Sequence, residues 1–154
     1  MLFLLLQIGK DRYALDTAVI REVLPMLQLK EMPRAEKGVA GAFDYRGMAA
    51  PAIDLCALAL GRAAAGRLST RIVVADYAYA DGQTGGLGLI AEGATETARF
   101  AAADFSEFGV ATGLAPYLGP IARDPRGLIQ RIEVEHVLSP SLRQLLFAAP
   151  IAAP

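Results

Sequence analysis

Turn residues interrupt this chain before any apolar run grows long, and that punctuation constrains the fold more than any other feature. The 154 residues include 15 glycines and 9 prolines. The apolar stretches between them, such as Leu2 to Ile8, Arg71 to Ala75 with Ile-Val-Val at its centre, and Leu87 to Ala91, have the length and β-branched content of strands and little helical periodicity. Short strands separated by Gly and Pro turns point to an all-β barrel or a pair of barrels.

Taken in order, the elements are mostly hairpins. Leu2 to Ile8 and Arg12 to Leu15 flank the polar turn Gly9-Lys10-Asp11. Ala18 to Leu24 carries Arg21 and Glu22 in its middle, which puts one face in solvent, and Pro25 ends it. Leu27 to Ala40, with Pro33 and mixed charges, reads as a loop or a single helical turn. Val39 to Leu55 then holds two apolar segments around Asp44-Tyr45-Arg46-Gly47. Asp first and Gly fourth suit a type I turn, with Arg46 presented at the tip.

Asp54 is placed to cap a short helix over Leu55 to Leu60, closed by Gly61. Arg62 to Thr70 reads as a surface connection, and Arg71 to Ala75 pairs with Leu87 to Ala91 across the turn Asp81 to Gly86. A third hairpin joins Tyr117 to Ala122 with Leu128 to Val134 across Arg123-Asp124-Pro125-Arg126-Gly127. Ser139-Pro140-Ser141 starts a final helix, Leu142 to Phe147, and Ala148 to Pro154 is expected to fray. About ten strands result, which is many for one small barrel and suits two.

Composition narrows the partners. With 15 basic and 16 acidic residues the net charge is −1, so no global field draws in nucleic acid or anionic lipid. Cys56 is the only cysteine, which excludes an internal disulfide and fits a reducing cytoplasm. The opening Met-Leu-Phe-Leu-Leu-Leu lacks a basic flank and is cut short by Gln7, Lys10 and Asp11, so it reads as a buried strand and not as a signal peptide or membrane span.

Catalytic chemistry finds little support. Gly86-Leu87-Gly88-Leu89-Ile90-Ala91 has the G-x-G-x-x-A spacing of a dinucleotide fingerprint, but a Gly-rich turn precedes it and a β-type run follows where a helix is required. His136 is the only histidine and has no partner at metal-ligand or catalytic spacing. Cys56 beside Asp54 and Leu55 reads as a buried small hydrophobe. Asp104 and Glu107 flank Phe105 and Phe108, a pattern common on solvated faces, so no acid–base pair is assigned. No phosphate loop, metal set or cofactor motif is present, which leaves a binding module.

At this point the residues Phe3 to Ser139 resemble a known family, the CheW-like domain, which couples chemotaxis-type receptors to a histidine kinase. Gln7 to Leu15 is similar to its opening strand, Gly turn and Tyr-Ala-Leu strand, and Val19 to Leu24 to its Val-x-Glu-Val/Ile. Gly41 to Leu55 resembles its Gly-x-x-Asn-Leu-Arg-Gly-x-x-x-Pro-x-x-Asp-Leu, the most specific piece. Arg71 to Ala75 resembles the central strand, Gly88 to Ala94 the Gly-Leu-x-Val-Asp-x-Val segment, and Tyr117-Leu118 with Leu128 to Leu138 the closing hairpin.

The resemblance implies two intertwined five-stranded SH3-like β-barrels with a groove between them and a short C-terminal helix, forming one domain over residues 1–147. It implies no enzymatic activity and no cofactor, a cytoplasmic location, and recruitment to membrane receptor arrays without membrane insertion. It also implies that one barrel end contacts the regulatory domain of a CheA-like kinase while the groove holds the cytoplasmic tip of a receptor. The family's contact positions fall on Ile20, Glu22, Gly41 and Arg46, with Asp44, Tyr45 and Gly47 shaping the turn. An internal ion pair of Arg46 with Glu22 or Asp54 is the alternative role for that arginine. A small barrel binding a low-molecular-weight ligand in the groove is the alternative function.

The chain departs from the pattern in several places. Asp44-Tyr45 replaces Asn-Leu, Glu92 replaces the usual aspartate, Gln130 and Arg131 interrupt a normally apolar closing strand, and Gly119-Pro120 displaces a glycine turn. Such drift suits a coupling protein of an alternative pathway, for example one controlling surface behaviour instead of flagellar rotation.

Overall fold

The computed structural model describes residues 1–107 and 115–147. Phe108 and the tail Ala148 to Pro154, expected to fray, lie outside them. Nine strands and two short helices follow in the order β1 Leu2–Ile8, β2 Asp11–Asp16, β3 Ile20–Pro25, β4 Val39–Tyr45, β5 Met48–Asp54, α1 Leu55–Leu60, β6 Arg71–Ala80, β7 Gln83–Arg99, β8 Leu118–Asp124, β9 Gly127–Ile132 and α2 Pro140–Leu146. The described residues hold nine strands against the roughly ten expected, and β7, 17 residues without a break, serves both sheets. Its first half, residues 83–91, pairs with β6, and its second half, residues 92–99, pairs with β1.

That one long strand builds two five-stranded sheets with the same plan. One has the order β3-β6-β7-β5-β4 and the other β7-β1-β2-β9-β8. In each, the third and fourth strands are parallel, β7 with β5 and β2 with β9, and the other neighbours are antiparallel. A single bridge completes each wall: Lys30 pairs with Ala42 of β4, and Ser106 pairs with Ile121 of β8. The all-β, two-barrel expectation holds, with a short C-terminal helix as anticipated.

The core explains why strands such as β1 are apolar without alternation. Phe3 and Leu5 face the interior of the second barrel with Ala14, Phe100, Ala122 and Ile129. Leu4, Leu6 and Ile8 face the opposite way, into a larger core with Leu15, Val73, Leu87, Leu89 and Val134 that joins the barrels. In β6 the same alternation sends Ile72 and Val74 into the first barrel beside Phe43 and Ala52, and Val73, Ala75 and Tyr77 into the joining core. Strands buried on both faces read as continuous hydrophobic runs.

Local corrections follow from backbone conformation. Thr17–Val19 forms a 3₁₀ turn capped by Asp16, so β3 starts at Ile20 and not at Ala18, and Pro25 is its last residue. The turn between β6 and β7 contracts to Asp81-Gly82, and α2 begins at Pro140. Residues 27–38 form a loop, tied to the barrel by the Lys30 bridge and by the Gly38 carbonyl, which accepts from the Asp54 amide at 2.8 Å. The cap expectations hold: Asp54 accepts from the amides of Cys56 and Ala57, and Gly61 closes α1 at φ 76°.

The junction behind α1 is held by carboxylates. Asp54 also accepts from the Ala64 amide at 2.8 Å. Glu92 pairs with Arg62 at 3.2 Å and accepts from the Ala65 amide at 2.7 Å, which fastens the 62–65 loop. The Arg62 bond, more than any other cause, holds the Glu92 carboxyl at about 2, below its ordinary 4.5. A carboxylate depressed on folding contributes stability that is complete above its unfolded pKa and is lost as the pH falls through its folded one. Between about pH 4.5 and 2 the thermal midpoint of Glu92→Gln should therefore fall less steeply than that of the wild type; equal slopes would contradict the assignment.

Cys56 lies beneath this junction, fully buried, and burial above all pushes its thiol up to about 11. The native protein should resist iodoacetamide at pH 8 and react only when unfolded, so rapid labelling of the folded chain would contradict the placement.

Candidate docking site at the hairpin tip

The turn that presents Arg46 differs from the one expected. Tyr45 and Met48 are the last paired residues of β4 and β5, so Arg46 and Gly47 occupy the two central positions, at φ 53° and 84°. Positive φ at both positions defines a type I′ turn, which matches the twist of a tight hairpin better than type I. Asp44 stabilises it from one residue before the turn, accepting a bond from the Gly47 amide at 2.8 Å. The arginine is at the tip as anticipated, held in a conformation that most side chains avoid.

Glu22 reaches this tip from β3. The register of β3 on β6 slips by one residue between Ile20 and Glu22, and the bulge separates the directions of their side chains. Ile20 packs half-buried on the joining core, whereas Glu22 meets Arg46 at 3.2 Å. The Arg46 side chain is 75% exposed and that of Glu22 35%, and the guanidinium carbon of Arg46 lies 5.5 Å from the Tyr45 ring centre. The hydrogen bond to Glu22, with the nearby tyrosine, raises the pKa of Arg46 further, so the tip carries a fixed positive charge.

Of the seven positions expected to contact a partner, Glu22, Asp44, Tyr45, Arg46 and Gly47 come together here. Ile20 adjoins them on β3 but faces inward. Gly41 is apart: it is buried in the barrel wall, where a Cβ would come within 2.3 Å of the Lys30 carbonyl. Glu22 is the internal partner of Arg46; Asp54 is not, being buried and committed to the α1 cap. An ion pair this open to water contributes little to folding stability, so its main effect is to aim the arginine.

The structure adds features absent from the expected set. Arg21, beside Glu22, pairs with Asp76 of β6. Met48 stands 74% exposed next to the turn, and Val23, Met26 and Leu27 expose apolar surface on and after β3. A groove of about 580 Å³ runs beside the hairpin between Leu29, Lys30, Phe43, Asp44, Met48 and Ala49.

Residues 86–91 are the middle of β7, paired with β6 and followed by more strand, so no helix opens on the glycines. His136 is exposed in a 3₁₀ turn. Asp104 accepts from the Ala101 amide at 2.7 Å, and Phe105 packs on Phe3 and Phe100. Among the described residues no cluster of His, Cys, Asp and Glu could hold a metal, and no helix is long and apolar enough to cross a membrane.

Comparison with known proteins agrees with this architecture. A family model for the CheW-like domain matches residues 2–141. Among solved structures, the scaffolding protein TtCheW from Thermoanaerobacter tengcongensis is similar, with a TM-score of 0.77 and 19% identity over 90% of this chain and 87% of that one. No curated protein sequence matches.

Proposed function

The chain belongs to the CheW-like domain family, and from that premise we propose that it is a non-catalytic adaptor that joins chemotaxis-type receptors to a CheA-like histidine kinase in the cytoplasm. Residues 1–147 act as one domain of two barrels. The observation that carries the reading is the β4–β5 tip: a left-handed arginine held outward by Glu22, with Tyr45 beneath it and exposed Met48 beside it. This tip docks on the kinase regulatory domain, and the groove between the barrels receives the receptor tip. The Asp44-Tyr45 pair adds a negative charge and a ring where the family has Asn-Leu, which directs the choice of kinase toward an alternative, non-flagellar pathway.

A ligand-binding barrel is less well supported. Two cavities lined by described residues of β1 and β7, about 220 and 230 Å³, are walled by side chains already joined in the Arg126–Glu96 and Arg62–Glu92 pairs. Sedimentation with receptor-bearing membranes tests the adaptor role directly. The kinase is expected to sediment with the receptor only when this protein is present; equal sedimentation without it would overturn the proposal.

A further inference from the structure

Two adjacent glycines on β7 connect the docking tip to the C-terminal helix. In the β6–β7 ladder Asp76 faces Gly86 and Tyr77 faces Gly85. Successive residues of a strand point to opposite faces, so these two rungs look in opposite directions. On the Gly86 face, Arg21 pairs with Asp76, and a Cβ at Gly86 would lie 3.5 Å from Arg21 and 3.6 Å from the Tyr45 ring. On the Gly85 face, a Cβ would lie 2.8 Å from Phe147, the residue that ends α2.

Phe147 is seated there by stacking. Its ring lies 4.9 Å from that of Tyr79 at 8° and 5.3 Å from that of Tyr77 at 20°. The Tyr77 hydroxyl is buried without a hydrogen-bond partner among the described residues, and Arg143 of α2 is its charged neighbour. The chain reaches this point from β9, a strand of the second barrel, and ends the helix on the first. Leu142 anchors α2 in the joining core, while Leu145 faces solvent.

We propose that α2 and Phe147 form a strap coupled to the hairpin tip through the Asp76–Gly86 and Tyr77–Gly85 rungs, so that closing the strap positions Tyr45 and Arg46 for docking. With Phe147 in place the Tyr77–Gly85 rung is fixed, and with it the neighbouring rung on which Arg21 and Tyr45 rest. With the strap open, that support is lost. Coupling between binding equilibria is reciprocal, so engagement of the tip also holds the strap closed. Phe147 is thus a positioning residue; the consequence for docking rests on the adaptor reading, whereas the coupling itself does not.

Hydrogen exchange on the full chain tests the coupling without a partner. Arg21→Ala removes the Asp76 pair and touches nothing in α2. Amides of residues 83–86 and of α2 are expected to exchange severalfold faster, with β1 and residues 92–99 unchanged. Unchanged exchange in α2, or uniform acceleration in every strand, would overturn the strap. A second arm measures affinity for the isolated regulatory domain of the CheA-like kinase. Phe147→Ala should bind at least threefold more weakly and Phe147→Tyr should restore it; equal affinity of Phe147→Ala and wild type would overturn the docking consequence. Failure of the wild type itself to bind would count against the adaptor reading, and the exchange arm would still decide the strap.

Discussion

Gly41→Ala is expected to lower the thermal midpoint more than Gly47→Ala or any exchange at the hairpin tip, although the family pattern makes Gly41 a contact position. At φ 142° the residue lies where L side chains are strained, and the new Cβ would sit 2.3 Å from the Lys30 carbonyl oxygen. Backbone cannot move aside as a flexible side chain can, and Lys30 is the bridge that completes the first barrel's wall. Overpacking and a forced positive φ each cost roughly 1–3 kcal/mol, against a total stability of about 5–15 kcal/mol for a native domain. Together, roughly 2–6 kcal/mol, they correspond to a fall of roughly 4–24 °C for a chain of this size. Gly47→Ala is the control, because at φ 84° no atom stands within 4 Å of the added carbon. Only its backbone strain remains, roughly 1–2 kcal/mol. Calorimetry of the two variants checks the contrast, and equal losses would show that the close approach at Gly41 is unimportant.

The second large effect concerns docking and not folding. Arg46 is held at φ 53°, which glycine adopts without strain. Arg46→Gly is therefore expected to fold as well as the wild type, with a midpoint unchanged or up to about 3 °C higher. Its affinity for the kinase regulatory domain should nevertheless fall at least tenfold, as for a truncated arginine at the centre of an interface. Glu22→Gln keeps the shape but releases the guanidinium, so its affinity should lie between those of the wild type and Arg46→Gly. Loss of stability in Arg46→Gly, with affinity retained, would assign the arginine to the barrel instead.

Much of this architecture is local enough to be legible. The β1–β2 hairpin, the Asp54 cap, the Gly61 stop and the Ser139 start of α2 each depend on residues a few positions apart. The type I′ turn was not legible, because it requires Arg46 in a conformation that its side chain disfavours. Nor was the continuity of β7: Glu92 to Thr97 shows no clean alternation, and only the doubly buried β1 beside it makes a strand of it. The reason for Gly41 lies 11 positions away at Lys30, and the role of Asp54 excludes it as a partner for Arg46 only once its burial is known. Val23, Met26, Leu27 and Met48 are unremarkable in the sequence, and only the folded chain shows each of them exposed. The Gly85-Gly86 pair looked like turn material, and only the register reveals that its two faces serve different elements.

Isothermal titration of the CheA-like kinase's regulatory domain into the wild-type protein and into Arg46→Ala tests the central claim most directly. Saturable one-site binding by the wild type, weakened at least tenfold in a variant that melts at the same temperature, is the predicted result. The same affinity in both proteins, or no binding by a fully folded wild type, would contradict it.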